Sequence, residues 1–418
     1  MGRISGLSDE LLVKILSFLP TKVAVSTSIL SKQWEFLWMW LPKLEYGSEN
    51  HSVSEYKRLK CFLDRNLPLH RAPVIESFRL QIRYPHLEPG DIKLWVLTVV
   101  SRYVHELDIF YYPCQKKLDI LPSSLYTCKS LVTLKLDGKI LVDVPRMVCL
   151  PCLKTLQLEA VTYLNEDSLQ RLLSNCPVLK DLSVEGCEDD NMRKFIVIVP
   201  SLQRLTLIIY NELDEFVINT PSLEYLKFDY SNMKSHHFLI ENIPKLGEAY
   251  VDAIFPCIER LIGSITSVKI LIICLLGNSS ENVYGDGFVF KQLVHLKLCK
   301  CRAYASNVVV RLLRDSPKLR VLHLLEMEDH EPNGVVLFWN QPSTVPECML
   351  SSLRTFKFER YLGRPEERDL VVYILKNARR LKTATILSED HEFETLDMIR
   401  ELALSSRAST KCQLVFDW

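Results

Sequence analysis

Apolar residues near the start of the chain recur at the spacing of short helices. Ser8 stands at the N-cap position of the first helix, and Pro20 ends it. Two further short helices are predicted to begin near Thr21 and Ser31. Three helices in about 45 residues cannot bury all of this apolar surface, so we expect the segment to bind a partner. The stripe of the first helix consists of Leu11, Leu12, Ile15, Leu16 and Leu19.

Beyond residue 70 a second pattern recurs, in the order apolar-x-x-apolar-x-apolar. Each copy predicts one short strand, because its last two apolar residues lie two positions apart. Segments between the copies, such as 166–174 and 307–314, favour helices, and so do 54–69 and 91–103 before the best copies. No copy could bury its own face, so stability must come from stacked neighbours. The copies begin at Ile75, Val104, Leu131, Leu153, Leu179, Leu202, Leu223, Leu246, Val268, Leu293, Leu319, Leu353 and Leu381.

Composition narrows the possible partners. The 418 residues carry 51 basic and 51 acidic side chains, which argues against a nucleic acid or an anionic membrane as the main partner. No apolar run approaches the length of a membrane helix, and the N-terminus lacks a signal peptide's apolar segment. We therefore expect the chain in the cytoplasm, the nucleus or both, with its 13 cysteines reduced.

Motifs for catalysis or metal binding are not found in the sequence. There is no phosphate-binding loop, no nucleophile elbow and no HExxH motif. The Cys149–Cys152 pair has no second pair at zinc-ribbon distance, and His236–His237 is a lone pair in a predicted loop. The sequence thus predicts no catalytic residue, no metal site and no cofactor.

The N-terminal segment closely resembles the F-box, the module by which substrate-recognition subunits of SCF ubiquitin ligases dock on a Skp-type adaptor. The resemblance is carried by residues 3–5, 7, 9–12, 15–22, 24–25, 27–28, 30–32, 34 and 37–38. Ser8 and Gln33 depart from the family, which usually has Pro and Arg at these positions. The resemblance implies adaptor contacts by Ile4, Leu7, Leu11, Leu12, Ile15, Leu16, Leu19, Pro20, Leu30, Trp34, Leu37 and Trp38.

The rest of the chain resembles two further modules. The copies are similar to irregular leucine-rich repeats, and Cys187 and Cys301 occupy the slot where that pattern has Asn or Cys. Residues from Trp339 onward look like the FBD region found after such repeats in a large plant F-box family, and we interpret 370–375 and 412–416 as a final helix and an edge-covering strand. The implied fold is α/β: a three-helix F-box (1–45), a helical connector (46–73), a curved solenoid with a parallel sheet on its concave face (74–338) and an FBD cap (339–418).

The resemblance implies a substrate receptor, with catalysis left to a cullin scaffold, a RING protein and a ubiquitin-conjugating enzyme. Two alternatives remain open: a receptor gated by a small molecule, and a repeat protein that no longer assembles into a ligase. The concave face is mixed and slightly acidic, which suits a protein target with some basic character. The target is expected to contact Asp137, Glu159, Asp181, Glu185, Lys227, Asp229, Tyr250, Asp252 and Lys297.

Overall fold

The computed structural model forms two compact units, Met1–Thr220 and Pro221–Trp418, which we consider in turn. It describes residues 4–47, 53–83, 90–113, 118–187, 191–230, 237–241, 243–254, 257–276, 287–300, 305–327, 330, 339, 341–388 and 395–417.

The helices of the first unit lie largely where the apolar spacing predicts them. Asp9 and Glu10 in the first turn of the first helix complement its dipole. Ser8 does occupy the N-cap, but its hydroxyl makes no capping hydrogen bond. The helices are α1 (Asp9–Leu16), α2 (Thr21–Ser26), α3 (Val53–Asn66), α4 (Asp91–Val100) and α5 (Ser168–Leu173).

The third N-terminal helix, predicted from Ser31, does not form as an α-helix. Turns occupy residues 32–36, and a single 3-10 helix covers Leu37–Trp40. Pro42 disfavours helical backbone at the residue before it, and Leu41 is accordingly extended, with φ −64° and ψ 128°. The segment is therefore too short for more than one tight turn.

Parallel strands make up the rest of the first unit. β1, β2, β3, β5, β7, β9 and β11 lie side by side in that order, β4, β6 and β8 form a second small sheet, and β10 pairs with β12. The strands are β1 (Lys43–Gly47), β2 (Ser77–Arg83), β3 (Glu106–Tyr112), β4 (Asp119–Ile120), β5 (Thr133–Gly138), β6 (Ile140–Val142), β7 (Thr155–Glu159), β8 (Thr162–Tyr163), β9 (Asp181–Glu185), β10 (Lys194–Ile198), β11 (Arg204–Ile209) and β12 (Glu215–Asn219).

The register of the main sheet aligns equivalent positions of the repeat. Leu134 is paired with Leu156, and Leu156 with Leu182, so the buried leucines form continuous rows in the core. The residues between them point to the opposite side, which we call the open face of the sheet. The predicted strand positions and their inward and outward sides are confirmed here.

β1 is a strand that the sequence reasoning missed. It pairs in parallel with β2, with Leu44 opposite Phe78 and Tyr46 opposite Leu80. Leu41, Leu44 and Tyr46 fit the repeat pattern and are all buried. The sheet therefore begins directly after the N-terminal helices, ahead of the first copy identified in the sequence.

The second unit continues the same architecture. Its sheet has the order β13, β15, β16, β17, β18, β19, β20, β21, all parallel. The strands are β13 (Tyr225–Tyr230), β14 (His237–Glu241), β15 (Glu248–Ile254), β16 (Ile270–Leu276), β17 (His295–Cys299), β18 (Val321–Leu325), β19 (Thr355–Phe358), β20 (Thr383–Leu387) and β21 (Gln413–Asp417). The helices are α6 (Cys257–Ile265), α7 (Ala305–Arg314), α8 (Glu347–Ser351), α9 (Pro365–Asn377) and α10 (Thr395–Leu404).

The C-terminal segment completes this sheet. Leu370, Ile374 and Leu375 of α9 are buried, and β21 pairs with β20 as the last strand in the order. A further helix, α10, precedes β21 and was not predicted. Within the described residues, none of the helices combines the length and the apolar character needed to span a membrane.

Candidate protein-interaction site

Helix α1 has two apolar faces with different environments. Leu12 and Leu16 are completely buried in the chain, whereas Leu11 is 50% exposed and Ile15 43% exposed. Positions 11 and 15 are separated by four residues, so they lie on one side of the helix. Phe18 is in the turn that follows α1 and is 80% exposed. Within the described residues, nothing covers these side chains, and they remain in contact with water.

Further large apolar residues of the N-terminal segment are exposed, and together with those of α1 we call them the N-terminal apolar surface. Ile29 is 87% exposed and Leu30 65% exposed. Single exposed apolar residues are common on monomers, but several in one short segment are typical of an interaction site. Burial of such side chains is favourable by about 1.5–3 kcal/mol each when complete, which makes the surface suited to a protein partner. Its members are Ile4, Leu11, Ile15, Phe18, Leu19, Val23, Ile29, Leu30, Phe36 and Trp40.

The predicted adaptor contacts divide into two groups. Ile4, Leu11, Ile15, Leu19, Pro20 and Leu30 are exposed, and Leu7 is half-buried. The remaining predicted contacts are buried inside the chain, so they cannot touch an adaptor unless the protein unfolds. Their role is to hold the exposed residues in place. The buried contacts are Leu12, Leu16, Trp34, Leu37 and Trp38.

The support for this surface is specific. The Thr21 hydroxyl accepts a hydrogen bond from the Glu45 backbone N–H at 2.8 Å, which ties α2 to β1. The Trp38 ring packs 5.5 Å from the ring of Phe62 on α3. His70 donates through Nε2 to the Leu41 carbonyl at 3.0 Å, and burial lowers the pKa of this imidazole to about 4. The N-terminal helices are therefore fixed to the first strands of the sheet.

Gln33 has a structural role that its position in the sequence did not suggest. Its Nε2 donates to the Leu7 carbonyl at 3.1 Å and to Asp9 Oδ1 at 3.1 Å. These contacts hold the start of α1 against the segment that follows α2. The effect of the missing positive charge at this position on docking stays a prediction.

The open face of the first unit carries a row of carboxylates. Asp137, Glu159 and Glu185 follow one another on β5, β7 and β9, in direct register. Tyr112 donates its hydroxyl to Asp137 Oδ1 at 2.7 Å. Burial raises the pKa of Glu159, and the charges of Asp137 and Glu185 raise it further. Like charges aligned in this way favour a cationic partner.

Asp181 also lies on the open face of the first unit, and most of the predicted contacts of the second unit lie on the open face of its own sheet. Asp181 is 3.7 Å from Arg204 in an ion pair, and the Lys227 ammonium lies over the Tyr250 ring at 5.1 Å. Asp229 and Lys297 are half-buried on their strands. These residues lie on the side of their strands that was predicted for substrate contact, and that contact stays a prediction.

Asp252 departs from the prediction of an exposed contact. Its side chain is buried, and Oδ2 lies 2.6 Å from His330 Nε2. The sequence placed it after the repeat motif, where most residues are exposed, but here the imidazole of His330 lies against it. A charge reversal at Asp252 would therefore disturb the interior of the protein rather than a binding surface.

Comparison with known proteins identifies the family. Family models match residues 4–46 (F-box domain), 92–248 (FBD-associated F-box protein At5g56370, LRR repeats) and 341–386 (FBD). The FBD-associated F-box protein At4g10400 of Arabidopsis thaliana is 61% identical over 417 residues, covering 100% of both chains. The FBD-associated F-box protein At5g38590 of the same plant is 54% identical over 408 residues, 96% of this chain and 98% of its own. The chain belongs to the FBD-associated F-box proteins.

As an FBD-associated F-box protein, the chain has its N-terminal apolar surface on the F-box itself. The F-box match ends at residue 46, inside β1, so the first strand of the parallel sheet belongs partly to the matched F-box segment. The most exposed members, Phe18 and Ile29, were absent from the predicted contacts. Their exposure depends on what packs against them in the folded chain, which the apolar spacing did not reveal.

The FBD is joined to the preceding repeats by buried charges. Lys300, which follows β17, donates to the Arg360 carbonyl at 2.7 Å and pairs with Glu326 at 3.1 Å. It also lies 3.8 Å from Glu367 on α9 and 5.3 Å from the centre of the Phe358 ring. Burial raises the pKa of Glu367, and the charge of Lys300 opposes that change. This cluster fixes α9 against the repeats.

Proposed function

We propose that the protein is the substrate-recognition subunit of an SCF-type ubiquitin ligase. The F-box would dock on a Skp-type adaptor and through it reach the cullin and RING subunits, while the repeats hold the target protein. The chain itself would perform no chemical step, and its contribution would be the proximity of target and activated ubiquitin. We propose the cytoplasm, the nucleus or both as its location.

The N-terminal apolar surface supports this proposal most directly. The F-box is held rigidly by Thr21, Gln33 and His70, yet it leaves Leu11, Ile15 and Phe18 open to water. A rigid apolar surface of this kind pays little conformational entropy on binding, which favours a stable rather than a transient complex. Buried apolar anchors near the centre of an interface each contribute about 2 kcal/mol or more.

The experiment that tests adaptor docking compares two matched double variants. Leu11→Asp/Ile15→Asp places two charges in the proposed interface. Leu94→Asp/Leu97→Asp makes the same chemical change on α4, where the leucines are similarly exposed at 54% and 46% but lie outside the F-box. Binding of each purified full-length chain to a purified Skp-type adaptor is measured by calorimetry, and folding is checked by circular dichroism and thermal melting.

The proposal predicts different adaptor binding for the two variants. Loss of about 2 kcal/mol at each anchor weakens binding roughly 30-fold per position, so Leu11→Asp/Ile15→Asp should show no measurable complex. Leu94→Asp/Leu97→Asp should bind like the unmodified chain. Adaptor binding by the first variant at unchanged affinity would remove the basis for the proposal.

For the target, we propose that the carboxylate row of the first unit contacts a basic segment. The matched variants are Glu159→Lys, in the row, and Glu224→Lys, the same charge reversal at an exposed position directly before β13. Targets captured by affinity purification with the proteasome inhibited provide the ligand. Glu159→Lys should slow association at low salt, and Glu224→Lys should not. Equal association rates for both would exclude the carboxylate row as the contact.

A further inference from the structure

Two buried cysteines and a histidine converge beside the open face of the second unit. Cys274 lies on β16 and Cys299 ends β17, each one position after the paired residues Ile273 and Leu298. His330 follows β18 and brings its imidazole between the two sulfurs. The ligand atoms of the three side chains all lie within 4.8 Å of one another.

The distances fit a tetrahedral metal centre. Nδ1 of His330 is 3.6 Å from Cys274 Sγ and 3.4 Å from Cys299 Sγ. In a tetrahedral zinc site with Zn–S of about 2.3 Å and Zn–N of about 2.0 Å, the sulfur and nitrogen ligands lie about 3.5 Å apart. The one lone pair of Nδ1 can accept a hydrogen bond from one thiol, whereas both sulfurs lie at this distance. A cation among the three atoms accounts for both contacts.

Asp252 completes the pattern around the histidine. His330 Nε2 donates to the buried Asp252 carboxylate at 2.6 Å, which leaves Nδ1 as the nitrogen directed at the sulfurs. Histidines that bind metals commonly donate their other ring N–H to a carboxylate, which fixes the ring and increases its basicity. The Asp252 carboxylate is therefore placed to orient His330 for binding a metal through Nδ1.

Apolar side chains pack around the two cysteines. Met327 is buried against both cysteines, with Tyr250, Ile272 and Leu325 packed around them. The Tyr250 hydroxyl donates to Met327 Sδ at 3.1 Å. Soft thiolate donors in apolar surroundings favour zinc over hard ions such as magnesium and calcium.

We propose that Cys274, Cys299 and His330 bind one zinc ion per chain, with Asp252 positioning the imidazole. Such an ion would link β16, β17 and His330, and would hold the imidazole of His330 against the two strands. Both cysteines would bind as thiolates, so two protons leave when the ion enters. The sequence predicted no metal site, because the three ligands are separated by 25 to 56 positions and show no ligand spacing.

The test uses the full-length chain, freed of metal by a chelator under reducing conditions. Zinc is titrated against a chromophoric competitor, and Co²⁺ serves as a spectroscopic probe because thiolate ligands give it a charge-transfer band. The unmodified chain should bind one ion with that band. Cys274→Ser/Cys299→Ser should lose the ion and the band, whereas Cys149→Ser/Cys152→Ser, which removes the exposed pair, should keep both.

Asp252→Asn separates positioning from ligation. It should keep the thiolate–cobalt band but bind zinc about 10–100-fold more weakly, as expected for loss of an orienting carboxylate. Zinc should also raise the melting temperature of the unmodified chain and not that of Cys274→Ser/Cys299→Ser. The absence of a thiolate–cobalt band in the unmodified chain would overturn the proposal even if the serine variant fails to fold, and so would loss of the ion in Cys149→Ser/Cys152→Ser.

Discussion

Replacement of Lys300 by Met should strongly destabilise the junction between the repeats and the FBD. The ammonium group is buried and makes contacts with Glu326, Glu367 and the Arg360 carbonyl. Removal of one partner from a buried ion pair typically costs about 3–5 kcal/mol, because the other charge stays buried. Arg360 Nη1 still donates to Glu326 at 2.6 Å, so Glu367 loses most. We therefore expect a loss of about 3 kcal/mol.

The measurement is the free energy of unfolding in urea, together with hydrogen exchange of the α9 amides. Lys291→Met is the matched control, since Lys291 is exposed in the turn before β17 and its loss should change stability by less than about 0.5 kcal/mol. Lys300→Met/Glu367→Gln should recover part of the loss, because the unpaired carboxylate is then neutral. Equal effects of Lys300→Met and Lys291→Met would refute the reasoning, as would strict additivity in the double variant.

Other predictions concern the core and the pH dependence of stability. Burial lowers the pKa of His70 from 6.5 to about 4. The contribution of neutral His70 to the free energy of unfolding is therefore complete above pH 6.5, and up to roughly 3 kcal/mol of it is lost as the pH falls toward 4. His70→Gln should flatten the urea midpoint across that window, and an unchanged slope would contradict this. Gly138→Ala should lower the free energy of unfolding by about 2–4 kcal/mol, since φ is +109° and the added Cβ would lie 2.1 Å from the Tyr111 carbonyl oxygen. An unchanged melting temperature would contradict this predicted clash. Leu156→Ala should cost about 2–5 kcal/mol and Gln157→Ala less than about 0.5, and comparable melting temperatures would disprove the strand register.

The amino-acid sequence by itself determined the repeating part of the protein. Leu134, Leu156 and Leu182 could be assigned to buried positions because a strand places alternate residues on opposite sides, whatever surrounds it. The helices α4, α5 and α9 were predictable for the same reason, since their apolar spacing is a local property. The F-box was recognisable because its motif is short and contiguous.

Only the tertiary structure decided which apolar residues of the F-box are available to a partner. Leu11 and Leu12 are neighbours in sequence and chemically identical, yet one is exposed and the other is completely buried. The difference arises from what packs against α1, which no local pattern encodes. The same holds for the burial of Asp252 and its meeting with Cys274, Cys299 and His330. These residues come together because parallel strands in register align positions that lie far apart along the chain.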